Sequence, residues 1–377
     1  MYRLIVPFLL LLLTAGCTRG LELSERAFVL GVAVDLTANQ QILLTTQIFN
    51  PSLGKTDTPA KGATLNITTE GPSIFEAIRD ITLQLGRKGQ WSHMQMILIG
   101  EEIARSSKFR EILDFFYRDD EPRLMNHISI TNGKAGPYLN GKVLIENSNG
   151  RTLVDIQRIA TRFTAKIPEM TLRDLILKVQ SEVSTAVIPY VERDKKDDNS
   201  LHYTGGAVVL NKKMVGFLPS EEIQYYMLAV NKMENAVISI PTESKSTAEA
   251  FEIIQSSAKI NSRLENGTVK AKLSLSVSGT VREITRSRID TPDQTKQFEL
   301  HIADTIRLRT EKMLLSLKGM KADAIGIGNR ISKLQPGVWR QMKPDWQEQF
   351  HKMECEVQVK VTVINTGLDT GHTIFSK

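Results

Sequence analysis

The residue best placed for chemistry is Cys17, which follows the small residues Ala15-Gly16 at the end of an apolar run over residues 4–13. Small residues before a cysteine let a signal peptidase approach the backbone, and the thiol can accept a diacylglyceryl chain. Arg3 supplies the positive charge in front of the run, which is too short to cross about 30 Å of hydrocarbon as a helix. The pattern predicts a signal peptide over residues 1–16, cleavage between Gly16 and Cys17, and lipid attached to Cys17.

The second cysteine, Cys355, bears on this interpretation. Two cysteines so far apart in the sequence do not make a disulfide framework. Cys355 also shares the strand parity of Val357, so its thiol is predicted to face an apolar core. The alternative is ordinary secretory cleavage after Ala15 or Gly16 with Cys17 left as a thiol, since Thr14 stands where a lipobox usually has leucine. Lipidation of Cys17 accounts better for the cysteine count.

Other chemically capable side chains do not cluster along the sequence. The six histidines are dispersed, and no pair has metal-ligand spacing. Gly326-Ile327-Gly328 lacks the third glycine of a dinucleotide-binding fingerprint, so we interpret it as a packing turn. The chain has no G-x-S-x-G, Walker-type or H-E-x-x-H motif. The sequence predicts a non-catalytic protein with no metal and no cofactor.

One short stretch has the composition of a partner surface. Trp91, His93 and Gln95 place an aromatic and two polar side chains at the mouth of a predicted buried strand over residues 94–99. These three residues are the candidate partner surface. The alternative is that Trp91 and His93 close the end of the core with one satisfied hydrogen bond.

The charge and hydropathy of the chain exclude some classes of partner. The formal net charge of +6 is spread along the chain, which argues against nucleic-acid binding. A mild positive balance could favour contact with anionic lipid headgroups, but a solvated surface of mixed charge is the simpler interpretation. No apolar run after the leader reaches spanning length, so the body is predicted to be soluble and extracytoplasmic.

Strand and helix signals alternate through the first half of the chain. A hairpin is predicted over residues 28–34 and 42–49, and a capping box at Ser73-Ile74-Phe75-Glu76 opens a helix that stops at Gly86. Further on, Asn266-Gly267 precedes a strand alternating from Val269 to Val277, and residues 298–317 have the apolar spacing of a long helix.

These elements predict an α+β fold of three mixed α/β domains after the cleaved lipoprotein signal peptide. The predicted parts are an N-terminal α+β domain over residues 17–191, a charged linker over 192–200, and a small middle domain over 201–250. A C-terminal α+β domain with an antiparallel sheet and a long helix then covers residues 251–377.

Short segments spread over nearly the whole chain stand in an order typical of one family. The segments are Ala27–Asp35, Gln47–Pro51, Ser73–Arg79, Trp91–Gln95, Ile112–Asp119, Glu121–Arg123, Gly205–Val208, Val215–Leu218, Ile325–Gly328, Trp339, Trp346 and Thr366–Leu368. Together with the lipobox, this order resembles the Ger(x)C family, the lipoprotein C subunits of germinant receptors in spore-forming bacteria.

The resemblance implies a non-catalytic protein of three α+β domains that supports nutrient-triggered germination. It implies a lipid anchor on the outer face of the spore inner membrane, and integral-membrane A and B subunits as partners. Whether the chain touches a small-molecule ligand directly stays open.

Two other functions would also suit an exported lipoprotein. A solute-binding lipoprotein of a transporter would be expected to have two similar α/β lobes, whereas the last region here is sheet-rich. A cell-envelope hydrolase would need a nucleophile with a base at recognisable spacing, which the sequence does not show.

Overall fold

The computed structural model describes residues 22–50, 64–141, 146–194, 200–242, 248–265, 268–285 and 287–365. Gly16 and Cys17 lie outside these ranges, so the cleavage and lipidation site stays a prediction. Helices and two mixed sheets make up the described chain, which confirms the predicted α+β class. Within those ranges, no helix has both the length and the apolar character needed to cross a membrane.

Nine strands of the described chain form the first sheet. They are β1 (Arg26–Leu36), β2 (Ile42–Phe49), β3 (Thr64–Gly71), β4 (Lys88–Gln90), β5 (Met96–Gly100), β6 (His127–Thr131), β7 (Thr185–Arg193), β8 (Leu201–Leu210) and β9 (Lys213–Pro219). Their order is β3-β2-β1-β5-β6-β7-β8-β9, with β4 beside the start of β1. The central strands β1, β5, β6 and β7 are parallel, and antiparallel strands flank them on both sides.

Helices cover both faces of this sheet. They are α1 (Ile74–Leu85), α2 (Glu101–Arg105), α3 (Lys108–Arg118), α4 (Asn149–Thr164) and α5 (Leu172–Val179). Neighbouring residues of a strand point to opposite faces, so Ile97 packs in the core with α1, α3 and α5. Leu98 packs on the other face, against Tyr138 and the α4 residue Leu153.

The ends of α1 follow directly from the local sequence. Ser73 has extended backbone and its hydroxyl accepts a hydrogen bond from the Glu76 N–H, which otherwise has no partner within the helix. Gly86 ends the helix in the left-handed region, at a φ of 64°, where its N–H donates to the Thr82 carbonyl. Both helix boundaries were predicted from these residue types.

The second half of the chain builds a sheet of four strands within the described residues, in the order β10-β11-β12-β13. The strands are β10 (Ala236–Pro241), β11 (Ala248–Glu265), β12 (Thr268–Glu283) and β13 (Glu354–Asn365). The remaining helices are α6 (Ser220–Ala229), α7 (Pro292–Gly319), α8 (Ile327–Leu334), α9 (Pro336–Met342) and α10 (Trp346–Lys352).

The predicted antiparallel character of this sheet is wrong at its last strand. β10, β11 and β12 pair antiparallel, but β13 runs parallel to β12. The reason is the route of the chain, because α7 to α10 form a crossover that returns it to the level where β12 began. The turn residues Asn266 and Gly267 lie outside the described ranges, although the strands on either side of them pair as predicted.

Helix α6 lies between the two sheets and is buried on all sides from Glu222 to Ala229. A helix with no solvent-facing stripe is a core element rather than a surface element. One apolar cluster joins it to Val187 and Val208 of the first sheet and to Phe251 and Leu273 of the second.

The residues predicted as a middle domain are therefore shared between the sheets. β8 and β9 extend the first sheet, whereas β10 belongs to the second. The predicted domain boundaries themselves stay a prediction.

Candidate partner surface at the amino edge of the parallel strands

The parallel strands β1, β5 and β6 begin at the same edge of the first sheet. We call this the amino edge and define it as residues 86–95, 119–127 and 165–171, which precede β5, β6 and α5. Lys88 forms an ion pair with Glu121 at 3.0 Å, so the first two of these segments are in contact. An isolated bridge between His127 and Thr171 joins the third.

The structure places Trp91, His93 and Gln95 at this edge, in three different environments. Trp91 is buried in a short 3-10 helix, Trp91–His93, and a Cβ added at Gly89 would lie 3.0 Å from its indole Nε1. This placement matches the interpretation that Trp91 closes the core.

His93 and Gln95 are more accessible. The exposed His93 ring stands edge-on to Phe28, with ring centroids 5.1 Å apart. The Gln95 backbone N–H donates to Leu30 and its carbonyl accepts from the His127 N–H, at 2.9 and 2.8 Å. The backbone of Gln95 thus connects β1 to the start of β6. Its partly exposed side chain lies at the amino edge. A partner role for these residues stays a prediction.

Sequence reasoning missed a contact between a histidine and a glutamate at this edge. His127 Nε2 lies 2.9 Å from Glu169 Oε1, and the hydrogen bond from His127 lowers the pKa of Glu169 below its usual range. The large apolar side chains Leu124 and Met125 are exposed beside the pair. His127 and Glu169 are distant in the sequence. Their proximity could have been inferred only from the rule that parallel strands begin at the same edge of a sheet.

The opposite, carboxyl edge is where open α/β sheets usually bind ligands. Here the segment over residues 132–139 fills that edge. Asp35, at the end of β1, accepts hydrogen bonds from the Ala135 and Gly136 backbone N–H groups at 2.7 and 2.8 Å. The Tyr138 hydroxyl donates to the Asn132 carbonyl at 2.9 Å.

The Asp35 carboxylate is almost fully inaccessible to solvent, and its burial raises its pKa despite the two backbone donors that act in the opposite direction. A Cβ added at Gly100 would overlap the Asp35 carboxylate, so the end of β5 must be glycine for the strand to approach this closely. The carboxyl edge is therefore a packed polar junction.

One surface groove differs from typical small-molecule sites. A groove of about 770 Å³ along β11 and β12 is lined mainly by small polar and charged side chains, including Ser256, Ser276 and Lys360. Small-molecule pockets are usually lined by hydrophobic and aromatic side chains with a few polar groups. No group of three or more His, Cys, Asp or Glu side chains in the described part of the chain is placed to hold a metal ion.

Cys355 is half-buried on β13, on the side of the strand that also buries Val357 and Val361. Burial raises the pKa of its thiol to about 11, which keeps the thiol protonated at neutral pH. The predicted apolar-face position of Cys355 is confirmed.

Comparison with known families divides the chain into two matched parts. Residues 20–193 match the family described as "Spore germination protein N-terminal domain". Residues 204–367 match the family described as "Spore germination B3/ GerAC like, C-terminal". The two matches follow each other in the order expected of one protein.

Individual relatives match over nearly their whole length. Spore germination protein B3 of Bacillus subtilis (strain 168) is 23% identical over 377 residues, which covers 96% of this chain and 97% of that protein. Spore germination protein A3 of the same organism is 25% identical over 374 residues, or 96% of each chain. The crystal structure of the GerBC protein has the same fold, with a TM-score of 0.60 at 22% identity over 89% of this chain and 97% of that one.

Proposed function

The chain belongs to the Ger(x)C family of spore germination proteins, and from this membership we propose that it is a lipid-anchored, non-catalytic C subunit of a spore germinant receptor. The observation that carries the proposal is the pair of family matches over residues 20–193 and 204–367, which leave little of the mature chain for another activity. The curated relatives are named as spore germination proteins and match this chain from end to end.

The proposed location is the outer face of the spore inner membrane, with Cys17 as the attachment point. Each buried methylene contributes about 0.8 kcal/mol, so a diacylglyceryl group holds a protein stably where one chain would not. Attachment would confine the body to the membrane plane and raise its effective concentration near integral-membrane A and B subunits. A strong interface with those subunits would then not be needed.

The anchor has a direct test. Spore-forming cells expressing the wild-type chain or the Cys17→Ala variant would be labelled with a radioactive or clickable fatty acid. Label on the wild type and none on the variant supports the anchor, whereas equal labelling of the two refutes it.

The function itself is tested by germination. A strain that lacks this gene and any redundant paralogues should lose the response to the nutrient that its receptor senses, and the wild-type gene should restore it. Crosslinking followed by purification of the membrane complex should recover the A and B subunits with this chain. Normal nutrient-triggered germination of the deletion strain would contradict the proposal.

A solute-binding lipoprotein of a transporter is the second candidate. The filled carboxyl edge argues against this function. Both carboxylate oxygens of Asp35 already accept hydrogen bonds from backbone N–H groups of the chain, so they are not available to a ligand. Calorimetry with amino acids, sugars and nucleosides separates the two functions, since submicromolar binding of one solute would favour the transporter subunit.

A further inference from the structure

Helix α4 has one face fixed on the first sheet. The Ser148 hydroxyl caps its start by accepting from the Arg151 N–H, and Leu153 and Val154 pack into the core. The buried Gln157 amide donates to the Ser129 hydroxyl at 2.7 Å and to the Ile128 carbonyl at 3.3 Å. These contacts determine which side of the helix faces solvent.

The solvent side of the C-terminal half combines apolar and basic side chains. Arg158, Ile159, Arg162 and Phe163 lie at i, i+1, i+4 and i+5, which is one face of an α-helix, and Lys166 follows just after the helix end. Ile159 is 48% exposed and Phe163 is 57% exposed. We call these five residues the α4 face.

The charge of this segment is mainly positive. Residues 151–166 carry four basic side chains and a single acid, Asp155. Asp155 pairs with Arg151 and Arg158, and Arg162 lies 3.4 Å from Glu234. Most of these side chains are well exposed, and ion pairs of this kind contribute little, so the guanidinium groups can exchange them for another anion.

The exposed leucines of α7 provide a contrast. Leu300, Leu308 and Leu315 also lie along one side of a helix, but Asp304 and Glu311 stand between them. Arg307 is engaged by both acids, with its Nη2 2.6 Å from Asp304 and its Nη1 2.9 Å from Glu311. This side of α7 therefore has no excess of positive charge that could attract an anionic surface. The α4 face does have such an excess.

The position of α4 brings it within reach of the proposed anchor. Eight residues lie between Cys17 and Arg26, the first residue of β1. The last three of them, Leu23–Glu25, form a 3-10 helix that rises about 2 Å per residue, and each of the others can span at most about 3.6 Å, so the tether reaches at most about 30 Å. The start of α4 contacts β1, because a Cβ at Gly150 would lie 3.6 Å from the Gly31 Cα. Gln157 reaches β6, two strands away, and adjacent strands are about 4.8 Å apart. The tether is therefore long enough for the α4 face to touch the anchored membrane.

We propose that the α4 face lies on the membrane, with Ile159 and Phe163 in the headgroup region and Arg158, Arg162 and Lys166 against the phosphates of anionic phospholipids. A basic helix face with two large apolar side chains has the composition of an interfacial binding surface. The inference rests on the proposed lipid anchor, which brings this face to the bilayer and gives the body one preferred orientation.

The test uses the chain from residue 17 onward with Cys17→Ser, so that no lipid is attached and binding reports the protein surface alone. Co-sedimentation would be measured with phosphatidylcholine vesicles and with vesicles that also contain roughly 30% phosphatidylglycerol. The test variant is R162E/F163S. The matched control is R79E/F75S on α1, since Arg79 lies over Phe75 as Arg162 lies over Phe163, and Phe75 is 49% exposed.

The unsubstituted chain should bind the anionic vesicles, more weakly at high salt, and should bind the neutral vesicles poorly. R162E/F163S should lower the partition coefficient on anionic vesicles about tenfold, whereas R79E/F75S and the charge-preserving R162K should leave it within about twofold. Circular dichroism would verify that each variant is folded.

Equal binding to neutral and anionic vesicles, or equal losses in the test and control variants, would overturn the proposal. So would a variant that binds vesicles normally but no longer co-purifies with the receptor, because that result assigns the face to a protein partner. A failed fatty-acid labelling experiment would refute the anchor without altering these binding results, so the two failures are distinguishable.

Discussion

The Asp35 carboxylate accepts a 2.7 Å hydrogen bond from the backbone N–H of Ala135, which lies one hundred residues further along the chain. A second bond from Gly136 gives both carboxylate oxygens a backbone donor. These two hydrogen bonds hold the segment after β6, residues 132–139, across the ends of the parallel strands. They are the reason that the edge where an α/β sheet would usually offer a ligand site is closed.

We predict that Asp35→Asn lowers the free energy of unfolding by about 2–3 kcal/mol. The amide oxygen can accept one of the two N–H groups, but the amide nitrogen would face the other donor and leave it unpaired in a buried site. Urea unfolding followed by circular dichroism measures the loss. The control is Glu102→Gln, an exposed carboxylate nearby, which should change stability by less than about 0.5 kcal/mol. Equal effects of the two substitutions would show that the hydrogen bonds of Asp35 do not stabilise the fold.

Local signals were sufficient to predict much of this fold. Ser73 and Gly86 marked the two ends of α1 because their side-chain and backbone preferences act within one helical turn. The alternation around Val357 indicated which face of β13 is buried, and Cys355 shares that face. These features depend on neighbours that are close in sequence.

Other features depend on the route of the chain and could not be predicted in this way. Alternation in β13 identifies its buried face but carries no information on whether its neighbour runs parallel. The residues around Asp35 are those of an ordinary strand end. Asp35 becomes a buried hydrogen-bond acceptor only because the chain comes back to it at Ala135. At the candidate surface, Trp91 and His93 were predicted from their neighbourhood, whereas Glu169 reaches His127 from 42 residues away.

Substitutions in helix α6 should lower the stability of the fold strongly, because this helix packs between the two sheets. We predict that Leu228→Ala, at a fully buried position, lowers the free energy of unfolding by about 3 kcal/mol through lost contacts and a residual cavity. Leu308→Ala on the exposed side of α7 is the matched control and should cost less than about 1 kcal/mol. Urea midpoints report both values. A Leu228→Ala midpoint equal to that of the control would contradict the central position of α6.

The His127–Glu169 pair should make a small, pH-dependent contribution to stability. The pKa of Glu169 is lowered in the folded chain, so the contribution is present above the unfolded carboxyl value near 4.5 and is lost as the pH falls through the lower folded value. Because the Glu169 side chain is 40% exposed, we expect Glu169→Gln to cost only about 0.5 kcal/mol at pH 6. Thermal unfolding of both chains from pH 7 to pH 3 should show their difference vanish at the acid end. A difference that grows on acidification would refute the assignment.

Cys355 should react slowly in the folded chain because the thiolate is the reactive form. With its pKa raised to about 11 by burial, its thiolate fraction at pH 8 is about a hundredfold below that of an unperturbed cysteine. Iodoacetamide labelling of the chain that carries Cys17→Ser should therefore be slow at pH 8, accelerate up to about pH 11, and become fast in urea. Mass spectrometry of the peptide containing Cys355 measures the rates. Rapid labelling of the folded chain at pH 8 would mean that this face of β13 opens readily, and would remove the argument that Cys17 is the one cysteine requiring a chemical role.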